Sequence, residues 1–453
     1  MRSYSAEYLD LTPPVHRGLK EIVDKSIFRK DLNIIAAKID ARKTQTIARA
    51  LRDKAILHIR SYRNVEPAGD GKTLVLLKFP DEALLPPDVR EFLEKEGAEF
   101  VPYTMELDYD HWTADDILQS VLPEDLAEQH PSGFAMVGHI AHLNLPEEYL
   151  PYKHIIGQVI LEKNSAVRTV VNKLQTIDDA DHVFRVFKME LLAGVPDYVV
   201  SHMEQGCKFT FDFTEVYWNS RLQTEHTRIV DMLKPTDLVA DPFAGVGPFA
   251  IPAAKKGCAV FANDLNPSSY HYLNKNTISN KVKDLIVSSN EDGRKFIRYV
   301  FRQAWDMPMP PHRPKEKGES RRAAKRPPAP ALARWAPEHA RKRITHFVMN
   351  LPQSAIEFLD AFRGVLAPAN MGDRPLSGEY SDSGSMPMIH CYCFTRFLEP
   401  AEAEADIRQR VEAGMGHPLG EEVSLYNVRS VAPNKDMYCI SFRLPYEVAF
   451  AAA

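Results

Sequence analysis

The segment DLVADPFAGVGPFA is the first place where residue types and spacing point to chemistry. It predicts a buried strand, a glycine-containing turn and the start of a helix, which is where open α/β sheets bind nucleotides beyond the carboxyl ends of their strands. Gly245 and Gly247 let the backbone approach a ligand closely. With Ala250 they also satisfy the relaxed GxGxxA dinucleotide fingerprint, so this turn alone leaves a dinucleotide and S-adenosylmethionine as alternatives.

Three later side chains favour the methyl donor, and each ends or follows a successive predicted strand. Asp264 ends the second strand (FANDLNP), where a carboxylate can accept hydrogen bonds from two ribose hydroxyls. Asp292 follows the third strand (VSSNEDG), where it can accept one from the adenine amino group. Asn350 ends the fourth (VMNLP), and Pro352 rigidifies that turn. Each carboxylate alone could be an ordinary helix cap, but together they predict an S-adenosylmethionine site.

The Asn-Leu-Pro turn also bears on the substrate. It resembles the NPP- and DPPY-like turns of methyltransferases that modify planar nitrogens. The Asn350 side chain and the backbone carbonyls of such a turn can hold an exocyclic or ring N–H beside the methyl group. We therefore expect a planar nitrogen as the methyl acceptor.

The elements that position these residues alternate between short apolar runs and amphipathic stretches after Tyr217. This pattern predicts an α/β domain with a doubly wound, mainly parallel sheet of the Rossmann-like class I methyltransferase type. The last two runs, VSLYNVRSVAP and DMYCISFRLP, predict an antiparallel pair added to that sheet. The first half predicts smaller α/β domains, with soft boundaries near residues 110 and 216.

The stretch 307–343 contains eight prolines and carries eleven Lys and Arg against three Glu. Such a composition predicts a disordered basic insertion without a periodic helix or strand. It is either a basic arm that touches RNA or a tolerated loop between two elements of the sheet. Its local charge is +8. Since the net charge of the whole chain is −5, the rest of the chain carries −13, and any affinity for nucleic acid must come from local patches.

The remaining composition excludes several classes of protein. The 453 residues are enough for two or three packed domains. The five cysteines include no CxxC pair, so we expect neither a disulfide framework nor a metal site. No run of about eighteen apolar residues occurs and no targeting segment is evident, so we expect no association with a membrane.

Read together, the segments DPFAGVGPFAIPAAKKGC, FANDLNP, VYWNSRLQTEHTRI, MNLP and NVRSVAPNKDMYCISF resemble the eukaryotic and archaeal tRNA (guanine-37, N1)-methyltransferases. The resemblance spans most of the chain, and LTPPVHRG and VPYTMELDYDHWTADDIL resemble the eukaryotic members specifically. It implies tRNA as partner, S-adenosylmethionine as cofactor and methyl transfer to N1 of guanosine 37. It also implies a tRNA-recognition domain (1–110), a middle domain (111–216) and a catalytic domain (217–453).

The resemblance places the methyl-donor contacts on the residues that match the family's motifs here. They are His226, Asp264, Leu265, Asp292, Gly293 and Asn350, and the turns described above add Gly245 and Pro352 to the expected cofactor-binding residues.

Methylation at N1 needs a base for the N1 proton and a cation for the charge that grows on O6. Glu225 matches the family's proposed proton acceptor, although its position four residues after Arg221 also fits an ordinary salt bridge. As a base it would have to be buried, so that its pKa rises towards neutrality. His226 is the alternative base, because its ordinary pKa lies closer to working pH.

The remaining site residues are candidates for the cation near O6 and for contacts to the substrate. Arg185 matches the arginine used near guanine O6, and Arg221 belongs to the same catalytic set. Tyr217 and Phe243 are candidates to pack against the flipped base, and core packing explains them equally well. Asn434 and Lys435 are candidate substrate contacts, although a turn between two strands explains them without function.

The resemblance further implies a monomer found in the cytoplasm, the nucleus and the mitochondrial matrix. Two alternatives stay open. One is a related S-adenosylmethionine-dependent enzyme that acts on another tRNA nucleotide or in the wybutosine pathway, and the other is a non-catalytic RNA-binding relative. A non-catalytic relative predicts a damaged cofactor turn, whereas the turn here is intact.

Overall fold

The structure is a computed structural model that describes residues 8–131, 133–174, 184, 186, 188–312 and 340–452. The chain divides into two compact units. The first comprises Met1–Leu174 and Met189–Asp197, and the second comprises Gln175–Lys188 and Tyr198–Ala453. The predicted domain boundaries near residues 110 and 216 stay predictions.

The first unit is built on two four-stranded sheets within the described residues. Its strands are β1 (Lys30–Asp40), β2 (Val65–Gly69), β3 (Lys72–Leu76), β4 (Glu99–Leu107), β5 (Ala135–Val137), β6 (Ile140–Leu143), β7 (Thr169–Leu174) and β8 (Lys188–Gly194). Its helices are α1 (Thr44–Leu51), α2 (Pro87–Lys95), α3 (Ala114–Val121), α4 (Glu124–Ala127) and α5 (Lys153–Lys163). The strand orders are β2-β3-β1-β4, all antiparallel, and β5-β6-β7-β8, in which β6 and β7 are parallel.

The second unit is built on a seven-stranded sheet and a two-stranded one. Its strands are β9 (Val199–Glu204), β10 (Cys207–Asp212), β11 (Leu238–Asp241), β12 (Ala259–Asn263), β13 (Ile286–Ser289), β14 (His346–Met349), β15 (Met388–Thr395), β16 (Val423–Ala432) and β17 (Lys435–Arg443). Its helices are α6 (Gln223–Met232), α7 (Ala250–Lys256), α8 (Pro267–Ser279), α9 (Gly293–Asp306), α10 (Pro368–Met371), α11 (Pro400–Met415) and α12 (Tyr446–Ala449). Short 3-10 turns occupy Lys25–Phe28, Ala41–Lys43, Glu82–Leu84, Tyr109–His111, Glu147–Tyr152, Ser220–Leu222, Lys283–Leu285, Ala355–Phe362, Leu376–Gly378 and Ser383–Ser385.

The large sheet has the order β13-β12-β11-β14-β15-β17-β16. Strands β11 to β15 are parallel, and β17 runs antiparallel between β15 and β16. The chain order reverses between β11 and β14, so the crossovers cover opposite faces and a ligand crevice opens at that switch point. The predicted doubly wound sheet and its added antiparallel pair are confirmed.

The helices bury one face each against this sheet. Helix α9 shows why: Phe296, Ile297, Val300, Phe301 and Ala304 repeat at helical spacing and are all buried. Its amino end is capped by Asp292, whose side chain accepts from two backbone N–H groups. Packing therefore fixes the start of α9 directly at the end of the loop that follows β13.

Two local expectations changed in the structure. The stretch SAIEFLDAFRGVL is one of the amphipathic stretches after Tyr217, which the alternating pattern predicts to be helices, but it forms a 3-10 helix over Ala355–Phe362 after the tight turn at Leu351. The ends of the basic insertion are ordered, because Met309 and Arg341 pair through both backbone hydrogen bonds. Residues 313–339 lie outside the described residues, so disorder there stays a prediction.

No helix in the described part of the chain is long and apolar enough to cross a membrane.

Candidate active site

The glycine turn after β11 is held directly against the end of β12. The Gly245 N–H donates to Asp264 Oδ2 at 2.8 Å, and the Ala244 N–H donates to the Asn263 carbonyl at 2.7 Å. Gly245 and Gly247 have φ of +54° and +99°, in the left-handed region that favours glycine. A Cβ on Gly247 would lie 2.7 Å from Ile251, so the glycine also permits the close packing of α7.

Asn263 ties three strand ends together, and the sequence reasoning missed it. Its buried amide donates to the carbonyls of Pro242, after β11, and Glu291, after β13. Its Oδ1 accepts from the Ser289 hydroxyl and the Glu291 N–H. The available signal was an asparagine at the last position of a buried strand. Its satisfied hydrogen bonds fix the carboxyl ends of β11, β12 and β13, the rim that carries Asp264 and Asp292.

Asp264 lies at the centre of this rim. Its second oxygen accepts from the Asn266 N–H at 2.9 Å, and desolvation raises its pKa to about 6 against two stabilising backbone hydrogen bonds. Leu265, the next residue, is 46% exposed. The Asn290 amide holds the carbonyls of both residues. Since each carboxylate oxygen has two acceptor sites, Asp264 can still take ribose hydroxyls.

Asp292 and Gly293 form the third predicted contact. The cap of α9 uses Asp292 Oδ1, and no hydrogen bond from a described residue to Oδ2 is seen. A Cβ on Gly293 would lie 2.7 Å from the ring of Phe243 and 3.1 Å from that of Phe358. Phe243, predicted to hold the substrate base, therefore packs beside the predicted adenine contact, edge-on to Phe358.

Asn350 and Pro352 follow β14, next to β11 at the switch point. Asn350 Oδ1 is shielded from solvent and has no hydrogen-bond partner among the described residues. A second such oxygen is Asp241 Oδ2, at the end of β11. Buried acceptors without a partner are rare, so both fit a site completed by a ligand. Complete burial also raises the pKa of Asp241 well above its ordinary value, although the Phe243 N–H opposes this shift.

Glu225 is buried, as the predicted base must be, with 3% exposure. The Arg228 guanidinium binds it through two hydrogen bonds of 2.7 Å, and the Tyr392 hydroxyl donates to Oε1 at 2.6 Å. The alternative reading, a salt bridge between Glu225 and Arg221, does not hold: Glu225 pairs with Arg228, three residues after it, and Arg221 is exposed. Neither Arg228 nor Tyr392 was predicted from the sequence. The residues around α6 do not show which arginine faces the buried side of the helix, and Tyr392 is distant in the sequence.

His226 is held by a carboxylate that sequence reasoning also missed. Its Nδ1 lies 2.6 Å from Glu204 Oε1, and both side chains are buried. The imidazole packs edge-on against Phe249, at the amino end of α7, with ring centroids 4.7 Å apart. Because Nδ1 faces a carboxylate, it carries a proton, and Nε2 is the nitrogen left for a ligand.

The remaining predicted residues are less closely joined to this rim. Tyr217 lies before α6 and is 38% exposed. Asn434 has φ of +60° in the hairpin between β16 and β17, where Pro433 precedes it as in a type II turn. Lys435 begins β17 with its Nζ 4.4 Å from the centre of the Phe394 ring. Arg185 lies outside the described residues.

Comparisons with known proteins identify the family of the chain. A sequence model described as the TRM5/TYW2 methyltransferase domain matches residues 200–311, and one described as the TYW2 N-terminal domain matches residues 114–197. A relative from Coprinopsis cinerea, "tRNA (guanine(37)-N(1))-methyltransferase", is 52% identical over 98% of both chains.

Two solved structures share the fold. One is Trm5b from Pyrococcus abyssi, with a TM-score of 0.58, 24% identity, and coverage of 90% of this chain and 99% of that one. The other is a complex of aTrm5 and tRNALeu, with a TM-score of 0.61, 19% identity, and coverage of 91% and 100%. S-adenosylmethionine is the methyl donor of such enzymes, in agreement with the cofactor predicted from the sequence. With a relative this similar over nearly its whole length, the chain belongs to the tRNA (guanine(37)-N(1))-methyltransferase family and is an enzyme.

Proposed function

We propose that this protein transfers the methyl group of S-adenosylmethionine to N1 of guanosine 37 in tRNA. The observation that carries the proposal is Asn350 Oδ1, a buried oxygen without a described partner at the edge that also holds Asp264 and Asp292. An unpaired buried acceptor at the methyl-donor edge calls for an N–H donor, and guanine has ring and exocyclic N–H groups. The relatives named above support the same reaction.

The residues that would hold the cofactor are those of the rim. Asp264 would accept from the ribose hydroxyls, Asp292 Oδ2 from the adenine amino group, and the ring of Phe243 would lie beside the adenine. When bound, S-adenosylmethionine supplies an electrophilic methyl group. Gly245 and Gly247 carry no side chain, so the turn after β11 leaves room for the bound cofactor.

The protein must also remove the N1 proton. We assign this role to Glu225. Its buried carboxylate accepts from the hydroxyl of Tyr392, which lies on β15, the strand next to β14. Arg228 and Tyr392 fix the orientation of the carboxylate. Arg185 would stabilise the charge on O6, a role that rests on the family resemblance, and Arg221 lies exposed before α6.

The reaction is tested by incubating unmodified tRNA with labelled S-adenosylmethionine and analysing the nucleosides. Label in 1-methylguanosine is expected. Label in another nucleoside would favour a methyltransferase that acts on a different tRNA nucleotide, and transfer of an aminocarboxypropyl group would favour the related wybutosine-pathway chemistry. Absence of label at saturating substrates would contradict the proposal.

The role of Glu225 is tested separately by Glu225→Gln. We expect methyl transfer to fall by about two to four orders of magnitude, the usual scale for a lost proton acceptor. Cofactor affinity, measured by calorimetry, should stay unchanged. His226→Asn is the matched comparison: it should weaken cofactor binding, and a larger loss of rate at saturating cofactor than that of Glu225→Gln would make His226 the base.

We further propose that the protein acts as a monomer and works in the cytoplasm, the nucleus and the mitochondrial matrix, as the family resemblance implies. Sedimentation with and without tRNA tests the first point. Imaging of the tagged full-length chain tests the second.

A further inference from the structure

A cavity of about 330 Å³ opens beyond the carboxyl end of β15. Its walls are Phe394 and Phe397 and four charged side chains, Arg396, Asp406, Arg410 and Lys435. The volume is at the lower end of the roughly 300 to 1,000 Å³ of small-molecule pockets, so it suits one nucleotide or a similar group.

The cavity lies at the same edge of the sheet as the candidate active site. Strand β15 is the parallel neighbour of β14, and the Phe394 N–H donates to the carbonyl of Pro352 at 3.1 Å. The turn that carries Asn350 is thereby joined to the wall of the cavity. A ligand that extends from the Asn350 turn along this edge would reach Phe394 first.

The charge of the cavity is positive. Arg410 neutralises Asp406 through a hydrogen bond of 2.6 Å and donates to the Phe394 carbonyl, so this pair holds the wall of the cavity and adds no net charge. Arg396 is exposed, and in the described part of the chain neither it nor Lys435 has a carboxylate within 4 Å. Arg396 and Lys435 are therefore available to bind an anionic group of a ligand.

The walls also offer aromatic surface. Phe397 is 47% exposed, and Lys435 lies over the Phe394 ring. Exposed rings beside unpaired cations are the combination that binds single-stranded nucleic acid, by stacking a base and neutralising its phosphate. An acidic peptide would use the cations and leave the rings without a purpose.

We propose that this cavity binds a nucleotide of the RNA directly next to the methylated guanosine, with its base against Phe397 and its phosphate between Arg396 and Lys435. The inference rests on the proposed function. Turning a base out of its stack leaves its neighbours without a stacking partner. The cavity replaces that partner and keeps the target guanosine in place.

The first test uses Phe397→Ala, with Tyr299→Ala as a control that removes an equally exposed ring from α9. We expect Phe397→Ala to raise KM for tRNA by about 5- to 150-fold, the range for one lost base stack, and to leave kcat nearly unchanged. Cofactor affinity, measured by calorimetry on each variant, shows that the fold is intact.

The second test uses tRNA that lacks the base on the 5′ or the 3′ side of the target. One of these substrates should raise the wild-type KM as Phe397→Ala does. On that substrate Phe397→Ala should add nothing further, because the ring and the base act as a pair. Additive losses on both substrates would overturn the proposal.

The third test addresses the phosphate. Because both cations hold one phosphate, the double variant Arg396→Ala/Lys435→Ala should lower the slope of log affinity against log salt by about 0.7, as expected for one lost phosphate contact to a single strand, and each single variant should lower it by less. Arg396→Lys should keep the slope, and Lys283→Ala, at the opposite edge of the sheet, should not change it. Unchanged KM and slope in an active enzyme would overturn this inference alone, whereas a wild type that makes no 1-methylguanosine would overturn the proposed function.

Discussion

Protonation of Asp264 should control how tightly the protein binds the adenosine part of its cofactor. Only the ionised carboxylate accepts hydrogen bonds at both oxygens without a proton of its own in the way, and desolvation raises its pKa to about 6 in the free protein. For a ligand that needs the ionised form, affinity is constant well above pH 6 and falls below it. At pH 5, one unit below this pKa, about one molecule in ten is ionised, so affinity should be about tenfold weaker than at pH 7.5.

Calorimetry with adenosine measures this loss directly. Adenosine carries the ribose hydroxyls and lacks the ionisable groups of methionine, so its binding reports on the Asp264 contact. At pH 6 about half of the molecules are protonated, and binding should therefore release about half a proton, seen by comparing buffers of different ionisation enthalpy.

Asp264→Asn is the control, because it keeps the shape of the side chain and removes the titrating group. It should bind adenosine more weakly and with little dependence on pH between 5 and 7.5. An affinity of the wild type that is flat over this range, or a variant that keeps the tenfold loss, would refute the assignment.

Three further predictions follow from buried contacts. Glu204→Gln should weaken cofactor binding and lower the free energy of unfolding by about 1 to 3 kcal/mol, because it replaces the buried carboxylate that pairs with His226 by an amide. The free energy of unfolding is measured by chemical denaturation, and an unchanged value would contradict this prediction. Tyr392→Phe keeps the ring and should cost about 1.5 to 3 kcal/mol in the same measurement, since its hydroxyl donates to the buried carboxyl group of Glu225. Gly293→Ala should cost about 1 to 3 kcal/mol and weaken adenosine binding, because the new methyl group overlaps the Phe243 ring. Gly420→Ala, where a Cβ meets nothing within 4 Å, is its control and should change neither quantity.

The order of the parallel strands in the second unit, and the polar side chains at their carboxyl ends, could be predicted from the sequence. Runs such as AVFAND and THFVMN are short, apolar and followed by polar residues, so strands β12 and β14 and the side chains after them could be placed directly. Parallel strands bring their carboxyl ends to one edge, and the sequence therefore also indicated that Gly245 and Asp264 would meet there.

Strand β9 shows where this reasoning fails. Its buried positions are Val200 and Glu204, while Val199 and Met203 are exposed. The apolar residues thus fall on both faces, and a glutamate occupies an inward position because His226 is there to pair with it. The alternating pattern that marks a strand is lost for a reason that lies elsewhere in the chain.

The partners that surround the candidate base could not be predicted from the sequence. Tyr392, which holds Glu225, is 167 residues away in the sequence, and the choice of Arg228 over Arg221 depends on which face of α6 is buried. Local preferences fix strands, turns and caps, because they act between residues that are close along the chain. Pairings between buried charges depend on how distant elements pack, so they become visible only when the fold is complete.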